Sequence, residues 1–184
     1  MEVYEPQEDS FLLQDAILAE NLRGRNCLDL GTGGGIQTKA MAKAGAKKVT
    51  AVDLNPDAIK AAMENNKDIA DKITFFQGDL FDFVRKDVTE RFDFIAFNPP
   101  YVPSDKIKWK DLDGGKKGRE IIDIFLAEFY EYLAKKGILF LLVSSLNDEK
   151  EVTSILEAKG MNVEIVAQKK IFFEELFVLK AVKN

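Results

Sequence analysis

The chain predicts an α/β fold: a doubly wound, mostly parallel sheet with helices on both faces and an antiparallel edge. Three observations point there. From Asn26 onward, strand-like runs alternate strictly with segments of helical periodicity. The first run ends in a glycine turn, Gly31-Thr32-Gly33-Gly34-Gly35, that leads into a helical segment. The last two runs, Asn162 to Gln168 and Glu175 to Val182, are close enough to pair as a hairpin and supply the antiparallel member. At 184 residues, 46% of them hydrophobic, the chain suits one full-sized core, so a single domain over 1–184 is expected.

Taken in order, Phe11, Leu12, Ala16, Ile17 and Ala19 have helical spacing. Asp9 or Ser10 would cap that helix, which should run to about Leu22, before Gly24. Cys27 to Leu30 reads as the first strand and Ile36 to Ala44 as a helix closed by Gly45. Val49 to Leu54 is the second strand, followed by a helix from Pro56 to Asn66 with proline in its first turn. Ile73 to Phe76 and Phe92 to Phe97 are the third and fourth strands. Pro99 and Pro100 cannot donate to a ladder, so the fourth strand must end before them. The pattern then lapses from Val102 to Gly118, a length expected of a lid or binding loop. A helix over Arg119 to Ala134, with Gly137 past its end, leads into strand Ile138 to Val143 and a helix around Glu149 to Lys159.

Composition removes whole classes of chemistry. There is no histidine, which excludes the usual zinc, haem and histidine-dependent catalytic designs, and the one cysteine, Cys27, has no internal partner. No metal site is expected. The formal net charge of −5, from 26 basic and 31 acidic residues, argues against a surface wholly devoted to nucleic acid. Met1 to Ser10 is polar, unlike a signal peptide, and no apolar run approaches the roughly 20 residues of a membrane span. A cytoplasmic protein with no membrane contact is the expectation.

Several residues fall at strand tips, where open α/β sheets bind ligands. The glycine turn lets a nucleotide approach the backbone, although Ile36 stands where the dinucleotide fingerprint needs its last glycine. Asp53 could accept from both hydroxyls of a ribose, although Asp53-Leu54-Asn55-Pro56 could also be a helix cap. Asp79 could accept from an adenine amino group, and Asp29 could pair with a cationic amine. Asn98-Pro99-Pro100-Tyr101 is a rigid corner carrying one amide and one phenol, although Asn-Pro and Pro-Pro are also ordinary turn punctuation.

Together, Asp29 to Gly35, Asp53, Asp79 and Asn98-Pro99-Pro100-Tyr101 resemble the S-adenosylmethionine-dependent methyltransferases, whose Rossmann-like sheet has seven strands. In that class Asn-Pro-Pro-Tyr marks enzymes that methylate an exocyclic or amide nitrogen. Val3 to Leu13 and Gly114-Gly115-Lys116-Lys117-Gly118-Arg119-Glu120 are similar to the archaeal and eukaryotic HemK-like catalytic subunits that methylate release-factor glutamine. The resemblance implies that Gly31 and Gly33 approach the methionine part of the cofactor, Asp29 its amino group, Asp53 with Leu54 the ribose, and Asp79 with Leu80 the adenine. Ser10 would reach the cofactor from the N-terminal segment, 1–25. Asn98 would hold the target nitrogen, with the Pro99 carbonyl as second acceptor, Pro100 stiffening the corner and Tyr101 packing beside the substrate.

The same resemblance implies a release-factor substrate with a Gly-Gly-Gln loop. It also implies a small zinc-binding activator subunit docked at the edge strand Ile73 to Phe76, and a chain without the N-terminal helical domain of bacterial relatives. Phe75 or Phe76 could instead pack against the flanking helices. Lys106, Lys108, Trp109, Lys110, Lys116 and Lys117 could bind nucleic acid, which keeps an adenine N6-methyltransferase as an alternative. A lysine acceptor and a non-catalytic cofactor-binding scaffold are the other readings.

Overall fold

The computed structural model describes residues 3–82, 91–101 and 118–184. Helices α1 (Glu8–Leu18), α2 (Ile36–Lys43), α3 (Pro56–Asn65), α4 (Glu120–Tyr132) and α5 (Glu149–Ala158) alternate with strands. The strands are β1 (Asn26–Leu30), β2 (Lys48–Asp53), β3 (Ile73–Gln77), β4 (Phe92–Phe97), β5 (Leu133–Ser144), β6 (Met161–Ile171) and β7 (Glu174–Lys183). They form one seven-stranded sheet in the order β3-β2-β1-β4-β5-β7-β6. β1 to β5 pair in parallel, and β7 runs antiparallel between β5 and β6. The doubly wound sheet, its antiparallel member and the edge position of β3 match the sequence expectation.

Residues of the central strands β1, β2, β4 and β5 are buried on both faces, as a helix-covered parallel sheet requires, whereas the edge strand β6 is largely exposed. Leu28, Leu30, Ile95, Phe97, Leu139 and Leu141 meet the apolar faces of α4 and α5. Cys27, Val49, Ala51, Phe94, Phe140 and Leu142 meet Leu13 and Ile17 of α1 and Met41 of α2. Among these, the Cys27 thiol is pushed up to about 12 by burial, then by Asp93, which keeps it protonated and inert. Phe97, directly before Asn98, packs its ring 4.9 Å from Phe125. The end of β4 is therefore braced by an aromatic core rather than left as a free tip.

Two expected boundaries shift. α1 begins at Glu8 behind Gln7 and ends at Leu18, and neither Asp9 nor Ser10 is its cap. Both side chains are buried in its first turn and turned to other partners. α4 stops at Tyr132, and β5 begins at Leu133, so Gly137 lies inside the strand segment instead of closing the helix. The cause is a kink at which Lys136 has φ 60° and the register against β4 shifts between Phe92 and Phe94. A Cβ on Gly137 would come within 2.7 Å of the Ala134 carbonyl oxygen, so only glycine fits there. The expected loop, 102–118, lies outside the described residues except for Gly118.

Candidate active site

Register alone brings the strand tips together. Leu30 pairs with Val52 on one side and Phe97 on the other, and Asp53 pairs with Gln77. Gly31, Asn98, Asp53 and Asp79 therefore emerge along one edge, where chain order reverses between β1 and β4. They line an open cleft with about 1040 Å³ of atom-free space, its mouth included. Ser10, Gly33, Leu54, Leu80 and Pro100 line it too, as expected, and Tyr4, Pro6, Gln37 and Ile121 join them. Asp29, Pro99 and Tyr101 are not part of its wall.

Asp53 closes the glycine turn. Its Oδ2 accepts the Gly33 N–H at 2.8 Å, and its Oδ1 accepts the Asn55 N–H at 2.8 Å. The same carboxylate borders the cleft. Capping of α3 falls to Asn55, which accepts from the Asp57 N–H at 2.9 Å. Gly33 has φ 52°, and a Cβ there would meet nothing within 4 Å, so its side-chain direction is open space.

Asp29 sits beneath the turn. Its Oδ2 accepts from the Thr38 hydroxyl at 2.6 Å and the Thr32 hydroxyl at 2.7 Å. Burial pushes its carboxyl up to about 6, against the opposing pull of those two hydroxyls. A different polar group faces the cleft from α2. Gln37 donates from Nε2 to the Ser10 carbonyl at 2.9 Å, while its buried Oε1 has no hydrogen-bond partner.

At the substrate end, Asn98 donates from Nδ2 to Asp9 Oδ2 at 3.0 Å and lies 3.5 Å from Ser10 Oγ. Its Oδ1 is shielded from water and has no partner. Asp9 Oδ1 accepts from the Tyr4 hydroxyl at 2.9 Å and the Ser10 N–H at 2.6 Å. Burial, then the nearby Asp9 charge, raises both the Tyr4 and the Tyr101 phenol, so each stays protonated at neutral pH. The Tyr101 carbonyl accepts from Asn147 Nδ2 at 2.9 Å, and the same amide nitrogen donates to the Gly118 carbonyl at 2.8 Å.

Sequence reading assigned no site role to Asp9, Gln37 or Asn147. Asp9 and Gln37 stand beside apolar helical positions, and Asn147 is in a short 3₁₀ turn with no periodic signal of its own. The sequence offered Asp9 only as a helix cap and as part of the Val3 to Leu13 stretch.

Residues 9–173 match the family model described as the methyltransferase small domain. A protein of Methanocaldococcus jannaschii, named as a candidate protein N5-glutamine methyltransferase, is 45% identical over 98% of this chain and 91% of its own length. The Homo sapiens methyltransferase HEMK2 is 31% identical over 100% of this chain and 91% of its own. Among solved structures, the E. cuniculi Mtq2–Trm112 complex, described as methylating the eRF1 translation termination factor, matches with a TM-score of 0.80 and 33% identity. That match covers all of both chains. The chain thus belongs to the methyltransferase small domain family, in the HemK-like branch with these relatives.

Proposed function

We propose that this protein is an S-adenosylmethionine-dependent N-methyltransferase whose acceptor is the side-chain amide of a glutamine in a translation release factor. One observation carries the reading. A buried amide oxygen, Asn98 Oδ1, stands without a partner on a residue that lines the cleft at the strand tips. Leaving such an acceptor dry and unsatisfied costs about 1–3 kcal/mol, which an incoming N–H recovers.

The wall suits the cofactor. Open space beside Gly33 would admit its methionine part, the Asp53 carboxylate would hold the ribose, and Asp79 with Leu80 would border the adenine. Gln37 Oε1 is the better placed acceptor for the amino group, because Asp29 is already held beneath the turn by two hydroxyls. S-adenosylmethionine supplies a methyl group activated by its sulfonium.

The protein's own task is to make a poor nucleophile competent. An amide nitrogen delocalises its lone pair into the carbonyl, so Asn98 Oδ1 and the Pro99 carbonyl accept its two N–H bonds. That pairing orients the nitrogen, raises its electron density and stabilises the positive charge that develops on it. The Tyr101 ring excludes water beside it. No histidine is required, and the chain has none.

The activator would dock at β3, the sheet edge, where Phe76 is 39% exposed and the half-buried Phe75 packs against the core. A strand at the edge of the sheet formed by the described residues invites strand addition. The partner is a small zinc-binding subunit. A cytoplasmic location follows from the substrate, and no helix among the described residues is long and apolar enough to cross a membrane.

Mass spectrometry of a release factor with a Gly-Gly-Gln loop, after incubation with labelled S-adenosylmethionine, tests the reading. Methyl on the glutamine amide is the expected result, and methyl on lysine or on a nucleobase instead would reject it. Asn98→Ala should retain cofactor affinity while lowering kcat by at least about a hundredfold.

A further inference from the structure

Asp9 lies 89 residues before Asn98, is 3% exposed, and forms a hydrogen-bond bridge between the N-terminal segment and the corner. We propose that Asp9 is a positioning residue that fixes which way round the Asn98 amide sits, so that oxygen rather than nitrogen meets the acceptor's N–H. The proposal rests on the reading that Asn98 Oδ1 receives that N–H.

The two flips of an amide have nearly the same shape, so packing alone discriminates poorly between them. A carboxylate does discriminate, because it accepts hydrogen bonds and cannot donate them. The Asn98 group within 3.0 Å of Asp9 Oδ2 must therefore be the NH₂, which sends Oδ1 the other way. Asp9 itself cannot turn to relax the arrangement. Its Oδ1 is held by the Tyr4 hydroxyl, the Ser10 hydroxyl and the Ser10 backbone N–H, the last a donor without freedom to rotate.

These constraints make an isosteric substitution informative. In Asp9→Asn the new amide's oxygen keeps the three donors, so its NH₂ takes the place of Oδ2 and confronts the Asn98 NH₂ donor to donor. Relief comes from turning the Asn98 amide over, which aims its NH₂ at the acceptor's NH₂ and removes the hydrogen-bond acceptor. Exchanging both polarities restores it. In Asp9→Asn with Asn98→Asp, the amide at position 9 donates to one oxygen of the carboxylate at 98, and the other oxygen faces the acceptor nitrogen.

The test compares wild type, Asp9→Asn, Asn98→Ala and the double exchange, using S-adenosylmethionine and a release factor with a Gly-Gly-Gln loop. Asp9→Asn should lose about a hundredfold in kcat with cofactor affinity kept within about threefold, and the double exchange should regain at least about tenfold of that loss. Near wild-type turnover by Asp9→Asn, or a double exchange no faster than Asp9→Asn, overturns the role of Asp9. If Asn98→Ala also turns over normally, the acceptor reading falls instead. A readout independent of turnover is the Asn98 side-chain NH₂ resonance, assigned by its loss in Asn98→Asp. It should shift strongly in Asp9→Asn, and an unmoved resonance overturns the proposal even if no acceptor is turned over.

Discussion

Gly33 and Gly35 stand two positions apart in one turn, both with positive φ, yet they serve different ends. A Cβ on Gly35 would come within 2.3 Å of Asn66 Nδ2 and 3.1 Å of Ala62 Cβ. Asn66 cannot yield easily, because that nitrogen donates to the Gly35 and Ala62 carbonyls. Gly35→Ala should therefore cost about 2 kcal/mol or more, read by urea unfolding. Gly33→Ala meets no atom within 4 Å and should cost only about 1–2 kcal/mol of backbone strain. Its methyl would project into the cleft and weaken cofactor binding at least about tenfold, read by calorimetry. Asp29 adds a pH signature. The folded protein holds this proton up to about 6, whereas the unfolded chain releases it near the ordinary carboxylate value. Between those values the folded state binds more protons, so this group's contribution to stability falls as pH rises from about 4 to 6, by roughly 3 kcal/mol at most. Asp29→Asn should flatten that slope, measured by urea unfolding at about pH 4.5 and 7. The glycine turn and the acids were visible in the sequence. The division of labour among them was not, because it depends on which side chain lies behind each residue.

The strands were legible because each is an apolar run bounded by polar residues, and their parallel pairing followed from βα alternation. Helix ends were less so. Asp9-Ser10 ahead of a periodic run has the composition of a cap, and only the fold shows that its carboxylate is engaged by Asn98. The α4–β5 boundary was hidden because Leu133 suits the helical apolar face as well as the start of a strand. Asn147 was hidden for another reason. Its 3₁₀ turn is three residues long, too short for periodicity, yet the residue is 1% exposed and fastens Tyr101 to Gly118. Its Oδ1 also accepts the Ser144 N–H at 3.0 Å. Asn147→Ala should cost about 1–3 kcal/mol in unfolding free energy and should lower kcat more than it weakens cofactor binding, since Tyr101 loses its anchor. Equal kcat in the two proteins would place the anchor outside the reaction.

At the scale of the molecule, the sheet has one face built on α1 and α2, another on α4 and α5, and, among the described residues, an edge at β3. The chain expressed alone should be poorly soluble or weakly active, and co-expression with the small activator should restore both. Phe76→Asp should abolish co-purification, because it sets a charge on the half-open edge position. A fully active monomer would exclude a required partner. The Asn147 clamp has a consequence for how such a protein diversifies. With Tyr101 and Gly118 tied to one amide, both positions are fixed by the fold itself. Sequence changes between 101 and 118 should therefore leave both anchor points in place so long as Asn147 is kept, and urea unfolding of such variants should show little change in stability.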